Sequence, residues 1–392
     1  MTAQPGGSST TALKFVVRLG VVSLFADMTY EAARSIIGPY LALLGASGTI
    51  VGIVAGFGEL IGYALRLVSG YVADKTGKYW GITIVGYAIN MVAVPLLALA
   101  GNWGLAAFFI IAERMGKAIR TPARDAMLSH ATAEMGRGWG FGLHEALDQV
   151  GAMLGPLIVA TVLYFNGSYQ TGFAVLVIPA MLALSVLIAA RMLYPKPRDL
   201  ETGVAVPGTH DFPRTFRLYL AGAMFVAAGY ADFPLIAYHF GKASTVPEVW
   251  IPVFYAVAMG VDALAALVFG RFFDRVGIPI LIVSVLISSP FAILVFQGGF
   301  YAALTGIVLW GIGMGAQESI MRAGVAEMVA PDRRASAYGV FSMGFGFYWF
   351  LGSAVMGWFY DISIPLVVTF SVATLLLAIP LFYLARKHEA LS

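Results

Sequence analysis

Asp27, Glu31 and Arg34 follow one another at spacings of four and three inside a long apolar stretch, so they share one face of a helix. Glu59 and Arg66 stand two turns apart on a second such stretch. Glu113, Lys117, Arg120 and Arg124 form a stripe on a later one, with Arg114 beside it, and Glu145 and Asp148 share a face further on. Asp125, Asp232, Asp262, Glu318 and Arg322 complete the ionisable groups embedded in apolar sequence. A charge in hydrocarbon costs several kcal/mol unless it is paired or wetted, so these faces must point at one another. Carboxylates so placed are suited to take up and release protons, Glu31 and Asp27 foremost, then Glu59, Glu145 and Asp148. Arg34, Arg114 and Lys117 are suited to hold an anionic group of a solute, or to keep those carboxylates ionised. Arg120, Arg124 and Asp125 also read as a purely structural network, and His144, next to Glu145, as a partner of that cluster or part of a relay. Asp27 needs a partner outside its own helix, and Arg114 or Lys117 is the expected one, with Arg34 answering Glu31.

The segments that carry these charges are those of a membrane protein. Of 392 residues 59% are hydrophobic and 11% charged, against about 25% charged in a soluble domain. Mean hydropathy is +0.83. Disorder, collagen and coiled coil are excluded by the same composition, and a formal charge of +3 gives no ground for nucleic-acid binding. The chain has no Cys, which removes disulfides, thiolate metal sites and thiol nucleophiles. It also lacks G-x-S-x-G, H-E-x-x-H and a Walker-type loop, so neither an enzyme nor a resident metal or cofactor is expected.

A membrane-crossing helix needs about 20 apolar residues. Gly, Pro, Asn and charge clusters divide the chain into twelve candidate spans: 15–43, 48–72, 80–100, 103–128, 138–164, 170–194, 214–240, 247–272, 278–297, 300–327, 334–360 and 363–386. A polar, Pro-bearing linker over 195–213 separates a six-helix half at 1–194 from a second at 214–392. Most of the 24 Lys and Arg fall at one end of the spans, Lys75, Lys78, Arg137, Arg191, Arg214, Arg271, Arg275, Arg333 and Arg334 among them, whereas the opposite loops hold only Lys242. The positive-inside rule then puts both termini and the linker in the cytoplasm of a multi-pass inner-membrane protein. Met1–Ala12 is polar and carries no cleavable signal pattern.

The halves repeat weakly. Gly70-x-x-x-Asp74-x-x-Gly77-Lys78 closes the second span, and Gly270-x-x-x-Asp274-x-x-Gly277 closes the eighth. Phe25-Ala26-Asp27 has a counterpart in Tyr230-Ala231-Asp232, and Arg137, Gly142 and Gly155 align with Arg334, Gly339 and Gly352 at a constant offset. Two parallel six-helix halves are the plan of an alternating-access carrier. GYVADKTGK resembles the signature loop of the major facilitator superfamily, and Gly151-x-x-x-Gly155-Pro156 is similar to its antiporter motif, with Val159-Ala160 where a Gly pair is usual. Glu113-Arg114-Met-Gly116 stands where the superfamily's fourth-span Arg motif is expected, its Gly two positions after the Arg rather than four. FADMTYEAARSIIGPYL and GKAIRTPARDAM are similar to a prokaryotic permease subgroup.

The resemblance implies an all-α fold of two pseudo-symmetric six-helix bundles. It also implies a monomeric secondary transporter in the lipid bilayer that moves a small organic solute, amphipathic or anionic, by rocker-switch alternating access. Proton coupling and export by exchange are the favoured mode. A receptor or scaffold on the same fold and an uncoupled facilitator are the alternatives. In this reading Gly70, Asp74, Gly77 and Lys78, with Gly270, Asp274 and Gly277, form gating loops. Asp74 latches onto the N-terminal end of the eleventh helix, while Gly151, Gly155 and Pro156 act as a hinge or as a plain packing face. The charge in the N-terminal half leaves the C-terminal half as a more apolar wall, with Phe345, Phe347, Tyr348, Trp349 and Phe350 on the eleventh span and Tyr230, Phe233 and Tyr238 on the seventh. Most of these aromatics are expected to face lipid or the interface.

Overall fold

The structure, a computed structural model, describes residues 6–132, 137–195, 212–329 and 334–389. All regular structure among them is helical. The order is α1 (Gly6–Leu43), α2 (Gly48–Thr76), α3 (Tyr79–Leu96, prolonged by a 3₁₀ turn to Leu99), α4 (Trp103–Thr132), α5 (Arg137–Tyr164), α6 (Tyr169–Val175) and α7 (Val177–Leu193). Then follow α8 (Arg214–Gly229), α9 (Phe233–Ala243), α10 (Trp250–Val276), α11 (Pro279–Ser288), α12 (Phe291–Gln297), α13 (Phe300–Met328), α14 (Arg334–Ile362) and α15 (Ile364–Glu389). These make the twelve expected rods, because α6 with α7, α8 with α9 and α11 with α12 are each one span broken once. Ten are long and apolar enough to cross a membrane, and the other two, α1 and α4, carry the charge stripes. The linker expected over 195–213 lies almost wholly outside the described residues.

Two compact units divide the chain: 1–33 with 64–204, and 34–63 with 205–392. The C-terminal part of α1 and the N-terminal part of α2, with the turn between them, thus group with the C-terminal helices.

In the first unit, glycines set the helix spacing. A Cβ on Gly151 or Gly155 would run into the carbonyls of Leu24 or Met28, so α5 lies backbone to backbone on α1. α5 runs unbroken through Pro156. Gly86 and Gly116 bring α3 against α4 in the same way, each facing the other helix's backbone near Arg120 and Asn90. Pro122 has no N–H for the carbonyl of Ala118, and Ser69 of α2 donates to that carbonyl at 3.0 Å instead.

In the second unit, Gly48, Gly52 and Gly56 let α2 lie on α14, and Gly38 lets α1 meet the start of α9. Asp361 caps α2 from α14. Its Oδ1 accepts from Gly48 N at 2.8 Å, and its Oδ2 accepts from Thr49 N at 2.8 Å and Thr49 Oγ1 at 2.6 Å. The break before α9 has a local cause, since Pro234 cannot donate to the residue 230 carbonyl. Ser371 donates to the freed carbonyl of Gly229 at 2.6 Å and Trp310 Nε1 to that of Ala231 at 2.9 Å.

The repeated loops match in conformation. Gly77 and Gly277 follow α2 and α10 with φ of +63° and +69°, and each N–H returns to the carbonyl four residues back, Ala73 or Phe273, at 2.8 Å. Only Gly adopts that conformation without strain.

Gly155→Val is expected to cost at least about 1–3 kcal/mol, seen as a lower melting temperature in detergent. Gly81→Ala, which meets nothing within 4 Å, should leave the melt unchanged or slightly raised.

Candidate functional site: a buried ladder of charges

α1 and α4 run antiparallel in the first unit, and their polar stripes interlock turn by turn. Arg124 Nη1 donates to Ser23 Oγ at 3.1 Å, Arg120 Nη2 lies 4.0 Å from Asp27 Oδ1, and Lys117 Nζ lies 3.7 Å from Glu31 Oε1. Successive rungs climb four residues on α1 while they descend three or four on α4. Asp27 therefore pairs with Arg120; the expected partners Arg114 and Lys117 are used elsewhere, because the register sets Lys117 one turn further along, opposite Glu31.

Neighbouring helices supply the supports. Tyr87 of α3 lies beneath the Arg120 guanidinium, 4.1 Å from its ring centroid, and Tyr30 lies beneath Lys117 at 3.9 Å. The Gly86–Gly116 crossing makes room for the first of these stacks. Asn90 Nδ2 donates to Glu113 Oε1 at 2.8 Å and to the Glu113 carbonyl at 3.0 Å, while Arg114 Nε sits 3.3 Å from Glu113 Oε2. From α5, His144 Nδ1 stands 3.4 Å from Asp148 Oδ2, with Arg124 at 4.0 Å from the same oxygen, and His144 Nε2 is 3.1 Å from Ser23 Oγ. Arg124 also holds Asp125 at 2.9 Å. The Arg120 side chain is 1% exposed, whereas Lys117 at 23% is the most open cation of these pairs.

The second unit has its own centre. Arg34 Nη2 donates to Asp232 Oδ1 at 2.8 Å and lies 3.3 Å from Glu59 Oε1. Asp232 occupies the N-cap position of α9, so the helix break delivers a carboxylate that is only 2% exposed to Arg34. The C-terminal half thus contributes an acid to a charged cluster. Asp262 is buried on α10.

Several expected site residues stand apart. Glu145 and Glu318 are exposed, because each sits on the flank of its helix away from the buried face. Arg66 is half-buried on α2, and the side chain of Arg322 lies outside the described residues. Asp74 accepts from Tyr79 Oη at 3.1 Å, a contact within its own loop region. Tyr230, Phe233, Tyr238, Phe345 and Trp349 are buried in the second unit rather than turned to lipid, with Tyr230 6.1 Å from Trp349 and Phe345 5.8 Å from Trp349; Phe347 and Tyr348 are exposed. Ser23, Tyr30, Tyr87 and Asn90 carry no sequence signal of their own. Ser23 and Tyr30 stand one turn from Asp27 on α1, a pattern that would have found them, whereas α3 carries no charge and so gave no such sign of Tyr87 or Asn90.

Twelve helical rods among the described residues, several of them carrying buried charge, describe a polytopic membrane protein. The Major Facilitator Superfamily model matches residues 19–278 and 218–391, and the chain belongs to that superfamily. An uncharacterized protein of Mycobacterium tuberculosis is 43% identical over 383 residues, covering 96% of this chain and 94% of the relative. An uncharacterized MFS-type transporter of Methanocaldococcus jannaschii is 27% identical over 365 residues, 89% of each. Among solved structures a nucleoside transporter superposes with a TM-score of 0.78 at 14% identity, over 94% of this chain and all of that one, which is a likeness of fold.

Arg34→Leu should cost about 3–5 kcal/mol by stranding buried acid, read as a lowered melting temperature. Adding Asp232→Asn and Glu59→Gln to it should recover most of that loss.

Proposed function

We propose that this protein is a proton-coupled secondary transporter of the cytoplasmic membrane, exporting a small organic solute in exchange for protons. The observation that carries this reading is the ladder itself. Three consecutive turns of α1 present a hydroxyl or a carboxylate to three cations of α4, in a chain whose ten other rods are long and apolar enough to cross a membrane. Such an arrangement is costly to maintain unless its protonation changes do work. Glu31 and Asp27 take the proton-coupling role. Lys117, the most open cation of these pairs, with Arg114 three residues before it and Arg66 on α2, is suited to the anionic group of the solute, and an apolar body would complete an amphipathic substrate. The proposed exchange mode rests on the antiporter-like Gly151-x-x-x-Gly155-Pro156 run.

Both termini lie in the cytoplasm in this reading, as the distribution of Lys and Arg favours. Asp74 and Asp274, each three residues before a left-handed Gly, then mark the cytoplasmic gating loops of a monomer that works by rocker-switch alternating access. Breaking the Asp74 contact with a partner helix end would accompany opening on that side.

Reconstitution tests the reading. In proteoliposomes with an imposed pH gradient, a panel of radiolabelled organic anions and amphipathic dyes should include one that accumulates against its gradient. A protonophore should collapse that accumulation. Glu31→Gln should lower it at least tenfold while leaving the protein folded, and Glu318→Gln should leave it unchanged. Accumulation indifferent to the protonophore would contradict proton coupling, and binding without flux would favour a receptor.

A further inference from the structure

Leu65, Val68, Ser69 and Val72 recur at i, i+3, i+4 and i+7 on α2, and with Ile82 of α3 and Ile119 of α4 they line a groove of about 200 Å³ in the first unit. Its walls are apolar. Ser69, the one polar side chain of the six, spends its hydroxyl on the Ala118 carbonyl at 3.0 Å. The groove is also open, with Val68 58% and Val72 40% exposed. Both α2 and α3 are long and apolar enough to cross a membrane, so an open apolar groove on them meets acyl chains rather than water. One end of the groove is basic. Lys75, three residues beyond Val72, continues the groove face of α2, and Lys78 stands one turn before Ile82, whose N–H donates to the Lys78 carbonyl at 3.1 Å. Both lysines are exposed, and among the described residues neither pairs with a carboxylate. The Lys75 ammonium lies 5.7 Å from the ring centroid of the exposed Tyr71, a pairing that suits the headgroup level of a bilayer. Asp74 stands two positions from Val72, on the far side of α2, and accepts from Tyr79 Oη at 3.1 Å.

We propose that this groove and its two lysines form a binding site for one anionic phospholipid, with an acyl chain lying between α2, α3 and α4 and the phosphate diester held by Lys75 and Lys78. The parts match that occupant. An apolar slot ending in two cations is complementary to a chain ending in a negative headgroup, and basic side chains at the membrane surface favour anionic over neutral lipid. Lysine also suits the depth, because its flexible apolar stem stays over the groove rim while the ammonium reaches the headgroup. A lipid so held ties the end of α2 to the start of α3 across the Gly77 turn. The site shares no residue with the charge ladder, and it stands independently of the proposed transport.

Native mass spectrometry of the full chain tests it, with the protein in a neutral detergent and dioleoyl phosphatidylglycerol and dioleoyl phosphatidylcholine supplied in equal amounts. The wild type is expected to retain a phosphatidylglycerol in preference to phosphatidylcholine. Lys75→Gln and Lys78→Gln should each cut that preference about fivefold, and the two together should abolish it. Val72→Phe, which fills the groove and leaves both lysines in place, should lower the retention of both lipids. Arg214→Gln removes an exposed cation at the start of α8 and should change nothing. Glycerophosphoglycerol, the same headgroup without acyl chains, should not bind at the lipid's concentration. All four substituted positions are exposed, and an unchanged melting temperature in the same detergent shows that each variant is folded. Equal retention of the two lipids by the wild type, or a preference that survives loss of both lysines, would overturn the site. So would a fall in Arg214→Gln as large as in the lysine variants, which would mean diffuse attraction, or retention indifferent to Val72→Phe. Binding of the free headgroup as tight as that of the lipid would show a phosphate site with no acyl chain and would also contradict the proposal.

Discussion

A charge inside a bilayer finds its counter-charge within the protein or does not stay charged. That constraint orders the first unit. α1 and α4 are too polar to face lipid along their stripes, so the stripes must meet, and the antiparallel run of the two helices turns equal spacing into successive rungs. The supports follow from the same demand. Tyr87 and Tyr30 give the cations an aromatic face, Asn90 fixes Glu113, and His144 ties Asp148 to Ser23. Each of these groups touches a charge that would otherwise be costly.

Close backbone approach is the second requirement, and glycine meets it. Ion pairs of 3–4 Å between helices need the helices near one another, which Gly86, Gly116, Gly151 and Gly155 permit in the first unit. The second unit uses Gly38, Gly48, Gly52 and Gly56 for a seam that Asp361 closes with three hydrogen bonds at the start of α2. Seams of this kind gain dispersion contacts and little hydrophobic energy, because the competing lipid is equally apolar.

Much of this was legible in the sequence, and for physical reasons. Apolar stretches of about 20 residues without the alternation of barrel strands must form helices, since only helices and closed barrels satisfy their own backbone in hydrocarbon. The i, i+4, i+7 spacing of Asp27, Glu31 and Arg34 placed them on one face and required a basic partner on another helix. Which partner was not legible. Arg120 rather than Arg114 or Lys117 meets Asp27 because interhelical register depends on glycine contacts far apart in the chain. The reach of Arg34 to Asp232 was hidden for the same reason, since it depends on the break before α9. Glu145 and Asp148 lie three apart and look equivalent in sequence, yet α5 presses only Asp148 and His144 toward α1. The buried aromatics misled because Phe and Trp suit lipid and protein interiors equally well.

The energetic coupling across the Glu31–Lys117 rung tests the central claim most directly. Thermal unfolding of Glu31→Gln, Lys117→Gln and the double variant in one detergent closes a double-mutant cycle. If the ladder is a set of buried, mutually dependent pairs, the double variant will be more stable than at least one single variant, with a coupling of about 1–3 kcal/mol. Additive effects within about 0.5 kcal/mol would mean that the two charges do not support one another, and would contradict the ladder as the organising interaction.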